Sequence, residues 1–480
     1  MVNIGVPSKG CLTKGKRHCG GYRDVPDVTF QDQSSEVIAK SRIVSRREER
    51  SPANTIWLSR PSEWLSGTSS ACTSQSDSLS NAPVMSHSPR LDPESGYIDF
   101  LANNFTYGGP NDKRENLFWI PANFESLIIH NKNLKLSVQC TGAMAIARLQ
   151  RSPEHLHEAH RQYSLALRSL AESWEQQAQV ERDAMFTAIL FLSFFEILAS
   201  YDSSSRGSWR THLGGLGALF NKCSLQYLHT DTGARIFRQT RSQVLVYALQ
   251  SLTPVPEVFA KLRPAREFEH FDSCDLLLIR LANLQARCRI LESDDSLVTD
   301  LIALDNDLDQ WTRALPSLWS FSAQPNKHQS GFWWDVRCDV YSSGFIAHTW
   351  NKVRAARIMT LDLLEDALLH LSPLPARDLG ITWNLTSRQM VVDICATIPT
   401  YFRPSSAAAR PREQGDPPLI GTVFWHLWVL EVVGAMKHAP PELTTWIVRC
   451  FERMYQATGV LKMKLAAGRL RVGHKGPVLP

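Results

Sequence analysis

Beyond about residue 96, apolar residues recur at three- and four-residue spacing along most of the chain, the period of helices buried on one face. The stretch 125–150, ESLIIHNKNLKLSVQCTGAMAIARLQ, carries it first. The stretch 152–174 opens with Ser152, Pro153 and Glu154. A cap residue followed by proline in the first turn signals a helix start. The same spacing continues through 181–199, 232–252, 274–291, 296–315, 339–371, 387–402, 422–436 and 442–458. Clusters of Gly, Pro and Ser separate these segments, and 403–418 (RPSSAAARPREQGDPP) reads as an exposed loop. No sustained alternation of period two is present. The pattern predicts an all-α fold, a large irregular multi-helix domain with no fixed repeat.

The most apolar stretch is AMFTAILFLSFFEILAS at 184–200. Its uninterrupted part ends at Glu196 after about a dozen residues, against the roughly 20 that a bilayer crossing needs. A buried core helix is expected there, with no membrane contact.

Before residue 96 the periodicity disappears. Residues 1–50 are basic and polar, and 51–95 are rich in serine, with scattered proline. Such segments bury too little apolar area to offset the entropy of ordering. The expected organisation is a disordered basic region at 1–50, a flexible linker at 51–95, a helical domain at 96–465 and a basic tail at 466–480. Trp57 and Trp64 interrupt the linker.

The 480 residues are 43% hydrophobic and 21% charged, which suits a globular chain with room for two or three domains. The formal charge of +5 is uneven. Lys9, Lys14, Lys16, Arg17 and Arg23 stand near the N-terminus, and Lys462, Lys464, Arg469, Arg471 and Lys475 near the C-terminus, with no acid among either group. Basic ends suit nucleic acid or acidic protein surfaces. Ten cysteines are scattered without a C-x-x-C pair, and most fall in apolar segments, where a free thiol packs as a small hydrophobe.

No enzyme constellation is present. In HLHEAH (155–160), His157 and His160 are three apart, one short of the spacing that puts two imidazoles on a zinc protease helix, so a surface histidine cluster is expected. HLGGLGALF (212–220) lacks the Lys and spacing of a phosphate loop, and its glycines suit close packing or a turn. Asp300, Asp305, Asp307 and Asp309 lack the central Gly and terminal Glu of a calcium loop and read as a solvated helix face. The aromatic sets FWW (332–334) and FWHLWVL (424–430) read as core, or as the lining of a small cavity.

VPSKGCLTKGKRHCGGYRD (6–24) resembles the two ends of a fungal six-cysteine binuclear zinc cluster joined across a missing middle. Gly10 and Cys11 match that family's first cysteine, and Cys19 followed by Gly20, Gly21 and Tyr22 matches its last. The second to fifth cysteines and most of the basic recognition segment are absent. The helical region resembles the family's regulatory part. Its pieces, in order, are 183–220 (an apolar helix ending in an acid, then Trp-x-x-His-x-x-Gly), 237–257, 308–321, the Trp-Asn-x-x-Arg-Ala-Ala-Arg stretch at 350–357, and 391–399.

The resemblance implies a nuclear regulator of RNA polymerase II transcription, often of metabolic or secondary-metabolite genes. Such proteins act as dimers on CGG-type half-sites and contact the transcription machinery. Zinc is the parent family's cofactor. In this chain Cys11 and Cys19, even with His18, are remnant ligands too few to close a four-ligand site, so no bound zinc is expected. Lys14, Lys16 and Arg17 remain as DNA-contacting candidates, through weak, salt-dependent phosphate contacts. The alternative expectation is a helical interaction or ligand-sensing module that no longer binds DNA and acts by pairing, as homodimer or heterodimer, with intact relatives.

Overall fold

The computed structural model describes residues 96–101, 120, 124–173, 179–199, 206–223, 225–263, 269–290, 295–325, 334, 337–371, 373–399 and 420–473. The basic region at 1–50, the serine-rich linker at 51–95 and the loop at 403–418 lie outside them. The described residues are overwhelmingly helical, as the periodicity predicts.

After a helical stretch at 96–101, the chain forms α1 (Phe124–His130), α2 (Lys132–Gln150), α3 (Pro153–Ser173) and α4 (Gln179–Ala199). The stretch expected as one helix at 125–150 is divided because Asn131 adopts an extended conformation and its side chain accepts from the Leu134 amide at 3.0 Å, capping α2. The start expected at Ser152 is observed: its hydroxyl accepts from the His155 amide at 3.2 Å, and Pro153 is the first residue of α3. From Ala184 to Ala199, α4 is buried on every side, with Phe186, Leu190, Leu192 and Leu198 inaccessible. Thr141 of α2 donates to the Phe191 carbonyl at 3.0 Å. Arg148 reaches the carbonyls of Leu198 and Ala199 at the C-terminal end of α4, where a cation is favoured.

The chain continues through α5 (Arg206–Lys222), the short α6 (Leu225–Leu228), α7 (Asp231–Ser251), the short α8 (Glu257–Lys261), α9 (Glu269–Ile290) and α10 (Asp295–Arg313). Helix α7 ends at Leu252, which takes a left-handed conformation just ahead of Pro254.

Two strands follow. Strand β1 (Phe321–Pro325) pairs antiparallel with β2 (Arg337–Tyr341), Phe321 opposite Tyr341. The segment expected as a helix from 339 therefore begins as a strand. Helix α11 (Gly344–Leu371) starts only after the Ser342–Ser343 break, where the Ser343 hydroxyl accepts from the Ile346 amide. Hairpin pairing overrides helical spacing here because five cross-strand partners hold the segment extended. Helix α12 (Pro373–Thr397) starts fourteen residues before the expected 387. Helices α13 (Ile420–Ala435), α14 (Pro441–Thr458) and α15 (Leu461–Arg471) complete the described chain. The expected boundary at 465 falls inside α15, whose Ala466, Ala467 and Leu470 are buried.

One continuous apolar core runs from α2 through α15. Helix α2 lies across α3 and α4, α11 is flanked by α9, α10, α12 and α13, and α15 returns to touch α4. Among the described residues no helix is long and apolar enough to cross a membrane.

Gly459 ends α14 at φ 70°, and a Cβ there would lie 2.2 Å from the Arg148 carbonyl oxygen. Gly473 has a similar φ of 74° with open space around it. Gly459→Ala is expected to destabilise the chain by about 2–3 kcal/mol, and Gly473→Ala by about 1 kcal/mol or less. Thermal unfolding of the two variants measures the difference, which isolates the clash from the shared backbone strain.

Candidate functional site

Helix α7 places Arg238 and Arg241 three residues apart, hence on one face, and α9 places Asp272 and Asp275 the same way opposite them. Arg238 donates through Nε (3.1 Å) and Nη2 (2.9 Å) to Asp272. Arg241 donates through Nε to Asp275 at 3.0 Å and through Nη2 to Asp272. Lys352, one-third along α11, donates to the second oxygen of Asp275. Arg241 and Asp275 are inaccessible to solvent, and Lys352 nearly so. Two rings cover the cations: Lys352 Nζ lies 4.4 Å from the centre of Phe271, and the Arg241 guanidinium 5.4 Å from Phe237. Burial opposes the Arg241 charge, but Asp275 and Asp272 outweigh it and hold its pKa above the ordinary value. On the far side of Lys352, burial pushes His348 well below the ordinary imidazole range, helped by the Lys352 charge and then by His426. Burial alone takes His426 of α13 down to about 3. Three helices thus meet on charged groups, and beside them the buried His426 and the half-buried His348 stay neutral near pH 7.

The rest of the Trp350–Arg357 stretch locks α11 to its other neighbours. Trp350 Nε1 donates to the Trp319 carbonyl at 2.8 Å, and Asn351 to the Thr397 hydroxyl of α12 at 2.7 Å. Arg354 donates to the Tyr341 hydroxyl at 2.9 Å and lies over the rings of Trp350 and Phe321, which fixes the hairpin on α11. Ala355 and Ala356 are fully buried. Arg357 reaches Asp305 at 2.9 Å and Asp309 at 2.7 Å on α10. The acidic run on α10 is therefore not simply a solvated face. Asp307 pairs with Arg280 and Asp300 with Arg287, both on α9, so the four carboxylates tie α10 to two helices.

A second polar centre lies in the first half of the domain. The Tyr163 hydroxyl of α3 donates to Glu196 of α4 at 2.5 Å and stands 2.9 Å from His212 Nε2 of α5. Its single proton is used on Glu196, so the imidazole presents Nε2–H to the tyrosine oxygen. Burial, reinforced by Glu196, raises Tyr163 well above the ordinary phenol range, and burial lowers His212 to about 4. One helical turn from His212, Trp209 Nε1 donates to Gln243 of α7 at 3.3 Å, and Ser193 of α4 donates to the same amide oxygen at 2.7 Å. The acid, Trp and His of the 183–220 stretch thus converge, through Tyr163 and Gln243, on the junction of α3, α4, α5 and α7.

Other sequence candidates are not brought together. In the 155–160 cluster, His155 meets the Ser152 hydroxyl at 2.9 Å and His157 is exposed. His160 is buried edge-on against Phe195 rather than on the surface. A Cβ at Gly217 of α5 would lie 3.4 Å from the Phe259 ring, whereas Gly214 and Gly215 face open space, so only part of that run serves close packing. Phe424 and Trp428 are core residues, with Phe424 against Phe194. The seven described cysteines are free and buried or half-buried, and burial raises Cys274 to about 12. Among the described residues no three His, Cys, Asp or Glu side chains could share a metal ion. Cys11, Cys19, Lys14, Lys16 and Arg17 lie outside the described residues.

Residues 123–251 match the family described as the Fungal specific transcription factor domain. The Emericella nidulans protein described as Transcription factor dbaG is 23% identical over 336 residues, which is 65% of this chain and 76% of the relative. No solved structure matches the chain.

Asp275→Ala leaves the buried Lys352 without its carboxylate and Arg241 with Asp272 alone, and is expected to cost about 3–5 kcal/mol of stability, read by denaturant unfolding. His426 gives a pH dependence. The unfolded chain takes up this proton below about pH 6.5, but the folded chain does so only near 3. Its stabilising contribution is therefore complete above pH 6.5 and is lost as pH falls through that window. His426→Leu is expected to flatten the acid limb of the stability profile by up to about 1.4 kcal/mol per pH unit.

Proposed function

We propose that this chain is a fungal-type nuclear regulator of RNA polymerase II transcription, of the zinc-cluster kind, whose DNA-reading module is impaired. The observation that carries the first half is the match of 123–251 to a transcription factor domain, together with a relative named as a transcription factor. The order of the 183–220, 350–357 and 391–399 stretches, which resembles the family's regulatory part, supports it: each is built into a contact between helices. The donor set at the N-terminus supports the second half. Two binuclear-cluster zinc ions each need four ligands, and Cys11, Cys19 and His18 supply three donors in all. A zinc module with open sites does not fold on its metal. Lys14, Lys16 and Arg17 then contribute phosphate attraction without base reading.

The same shortage of ligands favours a second reading, in which the helical domain acts by pairing with an intact relative or by sensing a ligand. Full-length protein, measured for zinc and then titrated against a CGG-containing duplex at two salt concentrations, distinguishes the two. The proposal expects less than one tightly held zinc per chain. It also expects weak binding that a scrambled duplex matches and that falls steeply between the lower and the higher salt. Two zinc equivalents with salt-tolerant preference for CGG would overturn the impairment. Complete absence of binding at low salt, with recovery on adding a zinc-cluster relative, would establish the pairing reading.

A further inference from the structure

The fold sorts the cations of the basic C-terminal end into those engaged inside the domain and those left facing water. On α15, Lys462 lies 4.6 Å over the Trp209 ring, Arg469 pairs with Glu431 and Arg471 with Glu452. Lys464 is exposed and pairs with no acid among the described residues. Its ammonium lies 5.6 Å from the centre of the Tyr455 ring of α14. Arg151 approaches the same ring from the end of α2, with its guanidinium 6.0 Å from the centre. It is also exposed, and no acid among the described residues pairs with it. Two like charges thus converge on one ring, which attracts both while they repel each other.

Backbone packing holds them there. Arg151 caps α2 in the left-handed conformation, at φ 54° and ψ 37°, where glycine or asparagine sits with less strain. The turn between α14 and α15 docks on that cap, since Gly459 lies against the Arg148 carbonyl. Further cations extend the surface. Lys464 and Arg471 are seven apart on α15 and share a face. Helix α14 exposes Arg449 and Arg453, four apart, a spacing at which like charges weaken a helix slightly. The acids of these two helices are Glu442, in the first turn of α14, and Glu452, which Arg471 takes.

We propose that this surface, with Arg151 and Lys464 at its centre and Arg449 and Arg453 beside them, grips the phosphate backbone of duplex DNA without reading bases. The proposal rests on the reading of the chain as a nuclear regulator. Cations left in water attract a polyanion by releasing its counterions, with no need for burial. Duplex DNA presents a charge about every 1.7 Å along its axis. An extended peptide, even one wholly acidic, presents one roughly every 3.3–3.6 Å. The Tyr455 ring is already overlain by two cations, so it is a poor anchor for a peptide side chain. The helical domain then supplies duplex affinity of its own, independent of zinc and additional to that of Lys14, Lys16 and Arg17.

The test is a titration of full-length protein against a fluorescent random-sequence duplex, read by anisotropy from about 50 to 200 mM salt. Arg151→Gly keeps the left-handed backbone without a Cβ, and Lys464→Gln changes an exposed side chain, so the double variant is expected to fold; thermal unfolding checks this. The slope of log affinity against log salt is expected to shrink by about 2 in this variant, roughly 0.9 for each lost contact. Lys261→Gln with Arg263→Gln removes the same charge from another exposed surface and is expected to keep the wild-type slope. An unchanged slope in the Arg151 and Lys464 variant would overturn the proposal, as would an equal loss in the control pair or no wild-type binding at the lowest salt. A loss seen only with Lys14, Lys16 and Arg17 changed to Gln would overturn it too, while leaving the nuclear-regulator reading in place. That reading is checked separately by the zinc and CGG measurements. Poly-glutamate that displaces the duplex at equal charge concentration would reassign the surface to an acidic protein and overturn the DNA assignment.

Discussion

Asp275 is buried without access to water, and each of its oxygens is held by a cation from a different helix, Arg241 of α7 and Lys352 of α11. A charge in that position is tolerable only when its partners are in place. The arrangement therefore fixes the register of α7, α9 and α11 more tightly than apolar packing does, since a hydrophobic face tolerates a slide of part of a turn and a two-point ion contact does not. Other elements take their places from these three helices. Helix α10 is tied to α9 and α11 by its four aspartates, the hairpin is held on α11 by Arg354, and α13 seats His426 against the same helix.

The amphipathic period showed where helices lie, because burying one face is what makes a helix stable in water. It did not show where they break. The division at Asn131 depends on one side-chain cap, and the strand at 337–341 depends on a partner sixteen residues away. Both are decided by interactions that a local window does not contain. The same holds for α15, whose short, weakly patterned sequence is ordered by docking Leu470 against Gly434 and pairing Arg469 with Glu431.

The polar centres were legible only in part. Glu196, Trp209 and His212 stood out as pieces of a familiar order, yet Tyr163, where Glu196 and His212 meet, looked like any aromatic on the buried face of α3. Its role exists only once three helices are in register. Arg238, Arg241, Asp272 and Asp275 carry a usable signal, charges three apart on otherwise apolar faces, which a buried helix keeps only when the partner helix answers them. The acidic run on α10 was misjudged for the same reason: four carboxylates look solvated until the arginines of α9 and α11 are placed beside them.

The family match ends at residue 251, the last residue of α7, whereas the partners of Arg238 and Arg241 lie beyond it on α9, where Asp275 also receives Lys352 of α11. Cutting the chain there would leave two buried guanidinium groups facing water on a helix built to bury them. The matched segment is thus half of a cooperative unit. Further contacts across the cut point the same way: Gln250 of α7 donates to Glu431 of α13, which also receives Arg469 of α15, and Lys462 lies 4.6 Å over the Trp209 ring. The two halves of the helical region are therefore joined through shared charged contacts.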